Sequence, residues 1–146
     1  MLQRNRLLLI VTILLLISGN PVTIAQQTTP QNGRIAFSSN ETGNYQIYTM
    51  NSDGSDVQRI TFSDNDDEFP DWSPDGTRIV FESNTPPSTD VYIINLDGSP
   101  SPTFLVENAT YPAWSPDGNT IAFTRWKDGS AEIYTIETDG TNLTKI

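Results

Sequence analysis

The chain contains no cysteine and no histidine, and only 8 Lys and Arg stand against 18 Asp and Glu in its 146 residues. Losing both residue types removes the usual Ser-His-Asp triads and Cys-His dyads. It also leaves packing alone to hold the fold, since no disulfide can form. The scarcity of basic side chains argues against nucleic acid and anionic lipid surfaces as partners. Neither a G-x-S-x-G elbow nor a Gly-rich phosphate loop occurs. The apolar run LLLIVTILLLI, residues 7–17, is shorter than the ~20 residues a membrane-spanning helix needs.

That run follows Arg4 and Arg6 and precedes Gly19, Pro21, Thr23 and Ala25. Positive charge, a short apolar stretch and small residues at the minus-three and minus-one places form an export signal, with cleavage expected after Ala25. The alternative is an uncleaved N-terminal anchor, and in both cases the folded part lies outside the cytoplasm. Without residues 1–25 the eight basic side chains fall to six against 18 acids, a net charge of −12. The remaining residues 26–146 suffice for one core and show no linker or composition shift that would divide them.

What is present is a repeat. FPDWSPDG at 69–76 returns 42 residues later as YPAWSPDG at 111–118. RIAF, RIVF and TIAF begin at 34, 78 and 120, and IYTMNSDG, VYIINLDG and IYTIETDG begin at 47, 91 and 133. Short β-type runs, each closed by Gly, Pro or Asp and recurring every 42 to 44 residues, predict one propeller blade per repeat. Four strands are expected per unit: the Trp segment, the RIVF-type run, the VYII-type run and a weak outer strand. Pro70, Trp72, Asp75 and Gly76, with Pro112, Trp114, Asp117 and Gly118, form the structural motif. The Trp side chains pack between blades, and each Asp holds its turn through local hydrogen bonds to backbone N–H groups.

PxWSPDGxxIxF followed by IYxMxxDGxxxxxIT resembles the TolB-type propeller repeat, a WD-like unit, over residues 33–146. The resemblance implies an all-β fold, here a partial β-propeller of three four-stranded antiparallel blades at about 28–69, 70–111 and 112–146. Members of that family include the periplasmic TolB protein of the Tol-Pal system, with six blades, and non-catalytic propellers attached to serine peptidases. The first unit departs from the pattern, with TTPQNG at 28–33 where the Trp motif belongs, so its inner strand is expected to be weak or absent. Three blades do not close a ring, since known propellers have 4 to 8. A homodimer closing a six-bladed ring and a fragment of a longer propeller are both consistent with this count.

The variable segments lie at the strand ends opposite the Asp-Gly turns, where binding usually concentrates. They supply the candidate partner-binding residues Asp64, Asp66, Asp67 and Glu68 in the acidic run SDNDDEF, and Trp126 and Lys127. The acidic run has hard oxygen donors but lacks the Gly and distant Glu of an EF-hand loop, so it is read as a solvated surface loop. Trp126 is read first as packing against a blade edge, with a protein or sugar contact as the alternative. No cofactor, metal site or catalytic group is expected. The leading reading is an exported, non-enzymatic module presenting acidic loops to a protein partner. A carbohydrate-binding module and a remnant of a peptidase-associated propeller are the alternatives.

Overall fold

A computed structural model describes residues 33–98 and 101–146. The expected signal segment, residues 1–25, lies outside that range, as do residues 28–32 of the first unit. Among the described residues no helix is long and apolar enough to cross a membrane.

Among the described residues, eleven antiparallel strands form three sheets. β1 (Arg34–Ser39), β2 (Gln46–Asn51) and β3 (Gln58–Arg59) make the first, in that order. β4 (Asp66–Trp72), β5 (Arg78–Thr85), β6 (Ser88–Asn95) and β7 (Thr103–Val106) make the second. β8 (Thr110–Trp114), β9 (Thr120–Lys127), β10 (Ser130–Glu137) and β11 (Thr144–Lys145) make the third. Each sheet is a meander of neighbouring strands joined by short turns. The fold is therefore the expected partial propeller, with the first sheet one strand short among the described residues.

The inner strands begin earlier than the Trp motif suggests. β4 starts at Asp66 and β8 at Thr110, so the expected blade boundaries at 69/70 and 111/112 fall inside strands. Each of these strands slips its register once, between Glu68 and Asp71 and between Thr110 and Ala113. Phe69 and Tyr111 sit at the slips with φ of 51° and 53°. An extra residue in the left-handed region is how a strand absorbs a bulge and turns more sharply. It also breaks the apolar alternation by which such a strand would be recognised.

The sheets pack face to face. Ile47 of the first meets Ile79, Phe81 and Ile94 of the second, with Trp72 against them. Val80, Val91, Leu105 and Val106 of the second meet Ile121, Phe123 and Ile136 of the third, with Trp114 against them. Both β-faces of the second sheet are thus covered, which explains why RIVF reads as an unbroken apolar run. The first strands β4 and β8 approach each other, whereas the outer strands β7 and β11 do not, so the sheets fan out from a common inner edge.

Candidate functional site

The repeated Ser-Pro-Asp-Gly turns at one end of the sheets are built for rigidity. Ser73 Oγ donates to Asp75 Oδ1 at 2.6 Å, Thr77 N donates to the same oxygen at 3.0 Å, and Arg78 N donates to Ser73 Oγ at 2.9 Å. The third sheet repeats this with Ser115, Asp117, Asn119 and Thr120. These donors favour the ionised carboxylate, which places Asp75 at about 2 and holds Asp117 below its ordinary value. Gly76 and Gly118 supply the positive φ that closes each turn, 70° and 76°. The Arg78 guanidinium lies 4.5 Å from the Trp114 ring centre, over the face of the indole. Pro70 is half-buried beside its Trp and Pro112 is buried.

A different character appears where the inner strands bulge. Phe69 and Tyr111 occupy the same repeat position on adjacent sheets, and their rings meet edge to face at 4.8 Å. They remain 45% and 56% exposed. Their left-handed backbone is uncommon for aromatic residues. Glu82 ties the two sheets here, since Tyr111 N donates to its Oε2 at 2.6 Å. Burial pushes the Glu82 carboxyl up, and the neighbouring Glu68 adds to this. Glu68 is itself raised by burial and then by Asp66. An exposed aromatic pair flanked by carboxylates of raised proton affinity is therefore the candidate site.

The acidic run is corrected by this geometry. It is not a solvated loop: Asp66, Asp67 and Glu68 open β4, and Asp67 is 1% exposed. Ser83 Oγ donates to Asp67 Oδ1 at 2.6 Å and Ser63 Oγ to Oδ2 at 2.9 Å. Asp66 Oδ1 accepts from Tyr45 N at 2.8 Å and so ties β4 to the first sheet. Asp64 remains exposed in the connection before β4, where its carbonyl accepts from the Asn44 side chain. No group of three or more acidic residues among the described residues is arranged to hold a metal ion.

Trp126 and Lys127 end β9 in the third sheet, away from the acidic strand of the second. Asp128 and Gly129, both at positive φ, then turn the chain tightly into β10. Trp126 is 67% exposed. Phe69, Tyr111 and Glu82 were not singled out from the sequence. The signal that would have found the two aromatics is an aromatic before Pro at the same place in two repeats; Glu82 carries no such signal.

The TolB beta propeller domain model matches residues 15–99 and 66–146 of the chain. The Tol-Pal system protein TolB of Geobacter sulfurreducens is 44% identical over 54 residues, covering 37% of this chain and 12% of that protein. A TolB structure from Agrobacterium tumefaciens superposes with a TM-score of 0.70 at 22% identity, over 80% of this chain and 46% of its own. TolB from Acinetobacter baumannii gives a TM-score of 0.66 at 24% identity, over 77% of this chain and 30% of its own. The chain thus spans less than half the length of each of these proteins. Repeat, sheet topology and family match agree, and the chain belongs to the TolB β-propeller domain family.

Proposed function

We propose that the chain is an exported, non-enzymatic interaction module that works outside the cytoplasm and binds a protein partner at its inner-strand bulges. The exposed Phe69–Tyr111 pair carries this reading. Aromatic side chains held rigid at a surface, with polar groups around them, are what dominate protein interfaces energetically. The net acidity of the chain favours a basic partner surface. Absence of histidine and cysteine, together with carboxylates already engaged in backbone and hydroxyl hydrogen bonds, supports binding over catalysis.

A photo-crosslinking amino acid at Tyr111, introduced into the full chain in its native cells, tests the reading. A discrete adduct is expected from Tyr111 and none from Asn119, which lies on the opposite turn. Equal labelling from both, or none from either, would count against a specific interface. So would hydrolysis of peptide or glycoside substrates that one carboxylate substitution abolishes.

A second reading follows from the exposure of Trp126. A flat indole at a hairpin end suits a sugar ring, and glycan-array binding lost in Trp126→Ala would support it. The exposure of Ile35, Ile133 and Ile146 fits a third role. We propose that the open faces of the first and third sheets also pair between two copies, closing a six-bladed ring.

A further inference from the structure

Beside the bulge lies a cavity of about 180 Å³ in the second sheet, lined among others by Ser63, Asn65, Asp67, Phe81, Ser83 and Tyr92. Phe81 and Tyr92 stack at 6.0 Å with their planes 22° apart. Asp67 and Ser83 are directly paired across β4 and β5. The Asp67 carboxylate is almost wholly buried, yet its side-chain partners are two neutral hydroxyls. A buried carboxylate without a cation is an expensive arrangement, because desolvation of the charge is not offset by an opposite charge.

The third sheet displays what completes such a place. Forty-two residues on, Phe123 and Tyr134 stack at 6.1 Å with their planes 18° apart, reproducing the Phe81–Tyr92 pair. At the position of Ser83 stands Arg125, and at that of Asp67 stands Ala109. The Arg125 guanidinium lies 5.6 Å from the Phe123 ring centre and 5.5 Å from that of Tyr134. Its Nη2 donates at 2.9 Å to the carbonyl of Glu107, the counterpart of Asn65. One repeat therefore has the cation and no carboxylate, and the other has the carboxylate and no cation.

We infer that the cavity at Asp67, Phe81, Ser83 and Tyr92 is a receptor for an arginine side chain of the protein partner, seated as Arg125 is seated in the next repeat. The aromatic pair presents its electron-rich surface to a guanidinium and Asp67 supplies the opposite charge, while the Asn65 carbonyl, counterpart of that of Glu107, already accepts from Gln46 Nε2 at 2.9 Å, so the Nη donors would be met by the Asp67 carboxylate. Planarity favours arginine over lysine for a slot walled by stacked rings. The inference deepens the interaction reading above and rests on it for the source of the arginine.

The test is titration of the full chain, exported and processed as in its host, with N-acetyl-arginine amide, followed through the backbone amide resonances of Asp67 and Ser83. Saturable shifts are expected with that probe. N-acetyl-citrulline amide, which keeps the shape and loses the charge, should give none. Asp67→Asn should weaken the affinity about tenfold or more, since a charge-assisted contact becomes neutral. Ser83→Arg should fill the cavity from within, abolish the titration and raise Tm by roughly 4 °C, as an internal ion pair with Asp67 forms. Retention of binding in Ser83→Arg, or equal shifts from the citrulline probe, would overturn the receptor. Tighter binding of free arginine than of its blocked amide would overturn a partner protein as the source. If the titration fails while crosslinking from Tyr111 succeeds, the arginine slot is wrong and the interaction module stands; the converse leaves an arginine-binding cavity and removes the module together with a partner protein as the arginine's source.

Discussion

Asp75 holds its turn as an ion, and this sets how the molecule responds to acid. Its native value of about 2 lies below the ordinary 3.8, so the unfolded chain binds the proton more readily. The stabilisation is complete above about pH 4 and is lost as pH falls toward 2. Glu82 runs the other way. Burial raises it above 4.5, so the native state holds more protons within that window and stability falls as pH rises through it. Glu82→Gln keeps an acceptor for Tyr111 N while removing the charge, and should raise Tm at pH 7 but not at pH 4. Thermal melts at the two pH values check this, and equal shifts at both would refute it. Asp75→Ala should cost about 1 kcal/mol in urea unfolding through the lost turn hydrogen bonds, with Asp75→Asn recovering part of the loss.

At the scale of elements, the joint between the second and third sheets is made by side chains of one accepting from the backbone of the other. Asp71 Oδ2 accepts from Trp114 N at 2.7 Å, beside the Glu82 to Tyr111 contact. Asp71→Ala leaves that N–H without its charged acceptor and should destabilise by about 1–3 kcal/mol. Hydrogen exchange at Trp114 should accelerate more than at Phe81, whose sheet pairing is untouched; uniform acceleration would place the effect elsewhere. None of these contacts was readable in the sequence, although the strands themselves were. The RIVF and VYII runs announced β5 and β6 because both faces are covered, and the Pro-Asp-Gly turns announced where they reverse. The start of β4 stayed hidden because Asp and Glu are poor strand formers and Phe69 shifts the register in the middle. Asp67 is buried only because Ser63 and Ser83 meet it from outside its own strand, which no local pattern encodes.

Across the three sheets of the described residues, the same repeat position is buried or exposed according to whether another of these sheets packs on it. Ile47 and Val91 are 0% exposed, but Ile133 in the last sheet is 48% exposed. Val106 is 6% exposed and its counterpart Ile146 is 77% exposed. On the opposite side Ile79 and Ile121 are 0% exposed while Ile35 is 43% exposed. The two end faces therefore carry the two halves of an inter-blade contact, and a head-to-tail interface closes into a ring when its rotation allows. The chemistry at the ends is matched as well. Ala113 and Thr124 replace the acceptors Asp71 and Glu82 on the third sheet, where they would meet a first sheet that shows no inner strand among the described residues. Two copies would give six blades, within the range of closed propellers. Light scattering of the purified chain should then give twice the monomer mass, and Ile133→Lys, which buries an unpaired charge in both seams, should return it to a monomer with a lower Tm. A wild-type monomer that melts cooperatively, with Ile133→Lys changing neither mass nor Tm, would show that these faces are not covered by a second copy.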